Sequence, residues 1–159
     1  MNKRALIKKI LARIQEELES YSKAARSAHA EATDEQNKAE NKYDTRGLEA
    51  AYLAGAQSKQ AAAAQQAIED FSKMKLKEFS AADPIDLSAL VEVESRGEPT
   101  LFFIGPCKGG LEVTQSSREI IVLTPQAPLG QQLVGRKQGD RFTWGEGRFS
   151  ENYHIAKVG

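Results

Sequence analysis

Ile7 to Ala32 reads IKKILARIQEELESYSKAARSAHAEA, and its apolar positions decide the fold. Ile7, Leu11, Ile14, Leu18, Tyr21, Ala25, Ala28 and Ala32 recur at alternating spacings of four and three. That is the seam of a helix packed lengthwise on another helix. The seam begins with large side chains and ends with alanines, so a partner backbone can approach closely at its far end. A second Ala-rich stretch, Leu48 to Phe79, holds Ala61 to Ala64, Ile68 and Phe71 and supplies that partner. Only an antiparallel pairing sets small against small near the turn and large against large at the open end. The sequence therefore predicts a helical hairpin. Each arm, about 30 residues at 1.5 Å per residue, is roughly 45 Å long.

Outward from the hairpin, composition changes abruptly. Of 22 alanines, 20 precede residue 90, whereas all five prolines and ten of twelve glycines lie at Pro84 or later. Ala-, Lys-, Glu- and Gln-rich sequence without proline favours helix, and Gly/Pro-punctuated sequence with β-branched clusters favours strands and turns. The boundary falls at Ser80 to Pro84, because proline disfavours helix in the residue before it. Two domains are expected: a helical-hairpin coiled coil over 1–80 with its tip near 34–47, and a β domain over 81–159.

The β domain is expected to be a twisted antiparallel sheet of about five strands with one short helix. Strands are read at Leu87 to Glu94, Leu101 to Ile104, Leu111 to Thr114 and Glu119 to Leu123, with a turn at Ser116-Ser117. Pro128 to Gly135 reads as the helix, with Pro in its first turn and Gly as its C-cap. Arg141 to Trp144 and Asn152 to Val158 form a closing hairpin around Gly145-Glu146-Gly147, and Phe142 and Trp144 are assigned to the core. The fold class is α+β.

Charge and cysteine content exclude several functions. Lys+Arg and Asp+Glu both number 22, so the chain is not a bulk-basic nucleic-acid binder. One cysteine, Cys107, excludes an internal disulfide framework or a multi-Cys metal cluster, and a buried or inert thiol is expected. No apolar run approaches the ~18 to 20 residues that span a bilayer, and the basic start lacks a secretory apolar core. A cytoplasmic protein without membrane contact is expected. His29 and His154 are remote in sequence, and no nucleophile, base and orienter converge, so stand-alone catalysis is not expected. The Gly-rich turn Gly105 to Gly110 lacks phosphate-loop spacing.

Along the hairpin the charge is uneven. Residues 1–13 carry Lys3, Arg4, Lys8, Lys9 and Arg13 with no acid, and Lys73, Lys75 and Lys77 return to the same end. Residues 31–49 carry six acids, Glu31, Asp34, Glu35, Glu40, Asp44 and Glu49, opposed by Lys38, Lys42 and Arg46. Carboxylates on a projecting tip suit a hard divalent cation such as Mg²⁺. If helical, Glu40 and Asp44 would share a face at i,i+4.

The stretch Thr124 to Asp140 resembles the C-terminal domain of the Gre family of bacterial transcript-cleavage elongation factors. Ala127-Pro128, a short helix, Val134-Gly135-Arg136-Lys137 and Gly139-Asp140 follow the family's order, and Glu16-Glu17-Leu18 resembles its first helical arm. The resemblance spans nearly the whole chain. It implies an FKBP-like C-terminal domain without prolyl isomerase activity. It also implies an accessory factor that inserts an acidic coiled-coil tip into the secondary channel of RNA polymerase. There, tip acids help hold a second Mg²⁺ and position water for cleavage of backtracked RNA. On this reading Asp44, Glu40, Glu49 and Arg46 act at the polymerase active centre. Asp44 and Glu40 share a Mg²⁺ with the polymerase, and the factor has no cofactor of its own. Pro128, Arg136 and Lys137 dock on the polymerase rim, contact with nascent RNA is indirect, and a monomer is expected.

The tip departs from the family pattern of Asp, two residues, Glu, Asn and a nearby Tyr. One register matches Tyr52 to the Tyr and places Asp44 near the Asp, with Gly47 or Leu48 where Glu is expected. The other matches Glu40-Asn41 and puts Asn37 where Asp is expected. Neither keeps the acidic pair. Two alternatives stand beside transcript cleavage: a secondary-channel regulator without cleavage, and an unrelated coiled-coil adaptor.

Overall fold

The computed structural model describes residues 2–34, 38, 40, 43–145 and 150–159. Much of the expected tip, including Asn37 and Asn41, and Glu146 and Gly147 of the expected last turn, lie outside the described residues. A pair of long helices, α1 (Lys3–Thr33) and α2 (Arg46–Lys73), precedes a six-stranded sheet with one short helix. The strands are β1 (Leu90–Ser95), β2 (Glu98–Ile104), β3 (Glu112–Gln115), β4 (Arg118–Leu123), β5 (Arg141–Trp144) and β6 (Glu151–Val158), and the helix is α3 (Pro128–Leu133). The expected α+β class is the observed one.

The chain divides into two compact units, one formed by Met1–Ile10 with Asp70–Gly159 and the other by Leu11–Glu69. It leaves the first unit along α1 and returns along α2, so the two helices run antiparallel. In the helical unit the buried seam is Ile14, Ala28, Ala50, Ala64 and Ala67. Alanine dominates because it carries high helix propensity and lets two backbones approach closely.

The first turns of α1 depart from the expected seam. Leu6 and Ile10 are fully buried, while Ile7 and Leu11 are only half-buried. The shift arises as the helix crosses from the sheet unit, which includes Met1–Ile10, into the helical unit, which begins at Leu11. The α1 start is tied to the sheet unit by polar contacts. Lys9 Nζ donates to the Thr114 carbonyl at 2.6 Å and Gln115 Nε2 to the Asn2 carbonyl at 3.1 Å. Lys3, 7% exposed, lies 4.7 Å over the Phe79 ring and donates to the Lys77 carbonyl. Burial pulls its ammonium below the ordinary lysine range.

The second arm also ends earlier than its composition predicts, at Lys73 rather than near Pro84. Tertiary contacts outweigh propensity here. The Lys77 N–H donates to Ser88 Oγ at 2.9 Å, and residues 74–80 run without helix toward Phe79, which packs against the sheet core.

The sheet order is β3-β4-β2-β1-β6-β5. All neighbours are antiparallel except β2 and β4, which pair in parallel from Leu101↔Ile120 to Ile104↔Leu123. The six strands correspond to the six segments read from the sequence, and one parallel pairing replaces the expected all-antiparallel order. Ser116 and Ser117, at φ 52° and 61°, form the two-residue turn of the β3–β4 hairpin, and that hairpin docks with β4 inward. Arg96 and Gly97 make the corresponding turn between β1 and β2 at φ 52° and 82°.

Alternation gives each sheet face its own apolar set. Val91, Val93, Phe102, Phe142 and Ile155 pack with Leu133 of α3 on one face. Leu101, Phe103, Val113, Ile120 and Val122 are buried on the other, where Phe71 closes over Gly105. A Cβ on Gly105 would sit 2.9 Å from Val122 Cγ1 and 3.1 Å from Phe71 Cζ.

Candidate functional site

Two regions carry the residues singled out by the sequence, one in each unit. In the helical unit they gather at the start of α2. Asp44 precedes the helix, and its carboxylate accepts from Arg46 Nε at 3.2 Å, Arg46 Nη2 at 3.2 Å and the Arg46 backbone N–H at 3.3 Å. A longer contact of 3.4 Å comes from the Glu40 N–H. Asp44 stands one residue before the N-cap Thr45, and its carboxylate closes an Asx-type turn onto the Arg46 N–H, one of the orphan donors of the first helical turn. The Arg46 hydrogen bonds, and then that from Glu40, hold the Asp44 carboxyl down at about 2. The Arg46 guanidinium is raised by the same pairing.

The neighbouring acids differ from Asp44. Glu49 lies in the first turn of α2, where the helix dipole favours a negative charge, and its Oε1 accepts from Thr45 Oγ1 at 2.9 Å. Glu40 is exposed, and its side-chain carboxylate accepts no hydrogen bond among the described residues but acts on Arg46 through its charge. Neither Glu40 nor Asp44 is helical, so the shared helical face does not form; their link is backbone to carboxylate. No group of three or more metal-ligating side chains occurs among the described residues. On α2, beside these charges, Leu48 and Tyr52 are 58% and 74% exposed.

In the sheet unit the docking candidates fall on and after α3. Pro128 occupies the first turn, and Gly135 follows the helix at φ 86°, where only glycine is unstrained. Gly130 is fixed by crowding, since a Cβ there would lie 1.9 Å from the Thr124 carbonyl oxygen. Arg136 and Lys137 have different environments. The Arg136 guanidinium lies 4.9 Å over the Phe142 ring and donates from Nε to the Gln132 carbonyl, while its backbone carbonyl accepts from Ile85 N–H at 2.8 Å. Arg136 thus closes the end of α3. Lys137 has an exposed side chain, and its backbone N–H donates to Asp140 at 2.8 Å.

Beside α3 lies a cleft of about 530 Å³ that the sequence reading missed. Val93, Phe102, Leu129, Trp144 and Tyr153 are its apolar lining residues. Trp144 was assigned to the core but is 36% exposed here, whereas Phe142 is buried as expected. The missed signal was length. A six-residue helix covers only part of a sheet face whose strands run on past it. Cys107 is half-buried, and burial pushes its thiol up. No helix among the described residues is long and apolar enough to cross a membrane.

No family model and no curated protein matches the chain. Among solved structures it is similar to GreA factor homolog 1 (Gfh1) of Thermus thermophilus, with 18% identity, 94% of each chain covered and a TM-score of 0.38. It is similar also to Thermus aquaticus Gfh1, with 19% identity, 92% of each chain and a TM-score of 0.40. A third similar structure is the transcription elongation factor GreA/GreB of Nitrosomonas europaea, with 17% identity, 60% of this chain, 78% of that chain and a TM-score of 0.37.

Proposed function

We propose that this chain is a Gre-type accessory factor of RNA polymerase, acting in the cytoplasm as a monomer without catalysis of its own. The observation that carries this reading is an antiparallel helical arm whose start of α2 bears Glu40, Asp44, Arg46 and Glu49, joined to a separate sheet unit. An arm of 31 and 28 residues is roughly 45 Å long, enough to carry charge deep into a channel. Exposed Leu48 and Tyr52 give the arm an apolar surface suited to a protein wall.

On this reading the sheet unit docks on the polymerase rim through Pro128, Lys137 and the surroundings of α3. Glu40 and Asp44 then face the polymerase active centre. Glu40 and Asp44 would help hold a Mg²⁺ there, and that metal would supply Lewis-acid activation of water for cleavage of a phosphodiester. That metal belongs to the polymerase, and contact with nascent RNA is indirect.

The Asp44–Arg46 pairing favours a second form of the same reading, a secondary-channel regulator without cleavage. A carboxylate already holding a guanidinium through two contacts is a poor metal donor until the guanidinium moves. Photo-crosslinking from position 40 to core polymerase tests the shared part of both forms. A crosslink to the catalytic subunit supports them, and none at saturating factor rejects them.

A further inference from the structure

We propose that the uncovered end of the sheet face beside α3 binds a short protein segment presenting an apolar side chain followed by a lysine or arginine. The inference concerns the sheet unit and deepens the proposed docking, since the cleft lies in the surroundings of α3; it rests on that reading only for the identity of the partner, and its peptide test can fail or succeed separately from the crosslink to polymerase. Alternation puts Thr100 and Glu98 of β2, Ser95 of β1, Glu151 of β6 and Trp144 of β5 on the face that α3 begins to cover. Because α3 stops at Leu133, these residues line open space together with Val93 and Phe102.

An exposed tryptophan in such a lining leaves apolar area in water, and an apolar side chain of a ligand removes it. Trp144 is positioned edge-on to Tyr153, at 6.0 Å and 67°, and Tyr153 in turn stacks on Phe142 at 5.3 Å. The three rings thus form one continuous aromatic wall.

Charge sets the second requirement. Glu151 is already satisfied, accepting from Ser95 Oγ at 2.8 Å and pairing with Arg96 at 2.5 Å. Glu98 has no hydrogen-bond or ion-pair partner among the described residues. Among the described lining residues, two carboxylates and one guanidinium leave one negative charge uncompensated, beside aromatic rings that attract cations. Phosphate and nucleic acid are disfavoured by that charge. A lysine or arginine one residue beyond an apolar anchor answers both features.

The chain has one tryptophan, so Trp144 emission reads the cleft directly. The blocked peptides acetyl-Gly-Leu-Lys-Gly-amide and acetyl-Gly-Leu-Glu-Gly-amide are titrated against the full chain, with amide NMR shifts recorded in parallel. The lysine peptide is expected to shift the emission saturably, to perturb Thr100 and Glu151, and to bind at least about tenfold more tightly than the glutamate peptide. Glu98→Gln is expected to weaken the lysine peptide about fivefold while leaving acetyl-Gly-Leu-Ala-Gly-amide unchanged. Equal binding of the lysine and glutamate peptides, no saturation, or NMR shifts confined to other surfaces would each overturn the proposal.

Discussion

Asp44 and Arg46 are joined side by side, Nε to Oδ1 and Nη2 to Oδ2, each at 3.2 Å. The pairing makes Asp44 an organiser of the turn into α2 as well as a charge. The folded carboxyl titrates at about 2 against an ordinary 3.8, so the clamp is complete above 3.8 and is lost as pH falls through about 2. Carboxyl-detected NMR should give an Asp44 midpoint near 2, and one near 3.8 would show that the clamp is absent in solution.

The three acids at the start of α2 should behave unequally. Asp44→Asn keeps size but loses the charge that holds Arg46, so local amide shifts from Glu40 to Glu49 should move. Glu40→Gln removes a carboxylate that acts on Arg46 only through its charge, and should move those shifts less than Asp44→Asn does while reducing the effect on polymerase. Paired NMR and transcription assays check this, and Glu40→Gln with wild-type transcriptional effect counts against a direct role for that acid.

Gly130→Ala should be severe. Its Cβ would overlap the Thr124 carbonyl oxygen at 1.9 Å, and backbone cannot yield as a flexible side chain can. A loss of about 3 kcal/mol is expected, at the upper end of overpacking costs. Urea unfolding followed by Trp144 emission measures it, and a loss within about 0.5 kcal/mol, the range of an ordinary surface substitution, would mean that α3 sits differently.

How much of this was legible in the sequence varies by element. The helical pair was legible because alanine and heptad spacing act locally, and the Pro128 and Gly135 boundaries of α3 because proline and glycine have few conformational choices. The early end of α2 was not, since it depends on Ser88 capturing the Lys77 N–H from 11 residues away. Nor was the parallel β2–β4 pairing, which is set by where the Ser116-Ser117 hairpin docks rather than by any local preference. At the candidate site, the acids were legible as charge, but their ranking required the hydrogen bonds. The adjacent Arg136 and Lys137 looked equivalent, and only the position of Phe142 separates them.

That separation changes how docking must be tested. Arg136→Ala removes a cation–π contact and a carbonyl hydrogen bond, costing roughly 1 to 2 kcal/mol of stability. Lys137→Ala should leave stability within about 0.5 kcal/mol, as an exposed substitution does. If α3 docks on polymerase, Lys137→Ala alone should weaken binding severalfold in fluorescence anisotropy. Unchanged affinity with an intact fold would move the docking surface elsewhere.

The most direct measurement of the central claim is transcript cleavage in stalled, backtracked polymerase complexes, with the factor absent, with wild type, and with the triple variant Glu40→Gln, Asp44→Asn, Glu49→Gln. The account predicts that wild type changes the cleavage rate, upward for a cleavage factor or downward for a channel regulator, and that the triple variant binds polymerase yet loses most of that change. A triple variant as effective as wild type would contradict the acidic-tip mechanism, and a wild type without effect at saturating concentration would contradict the polymerase reading itself.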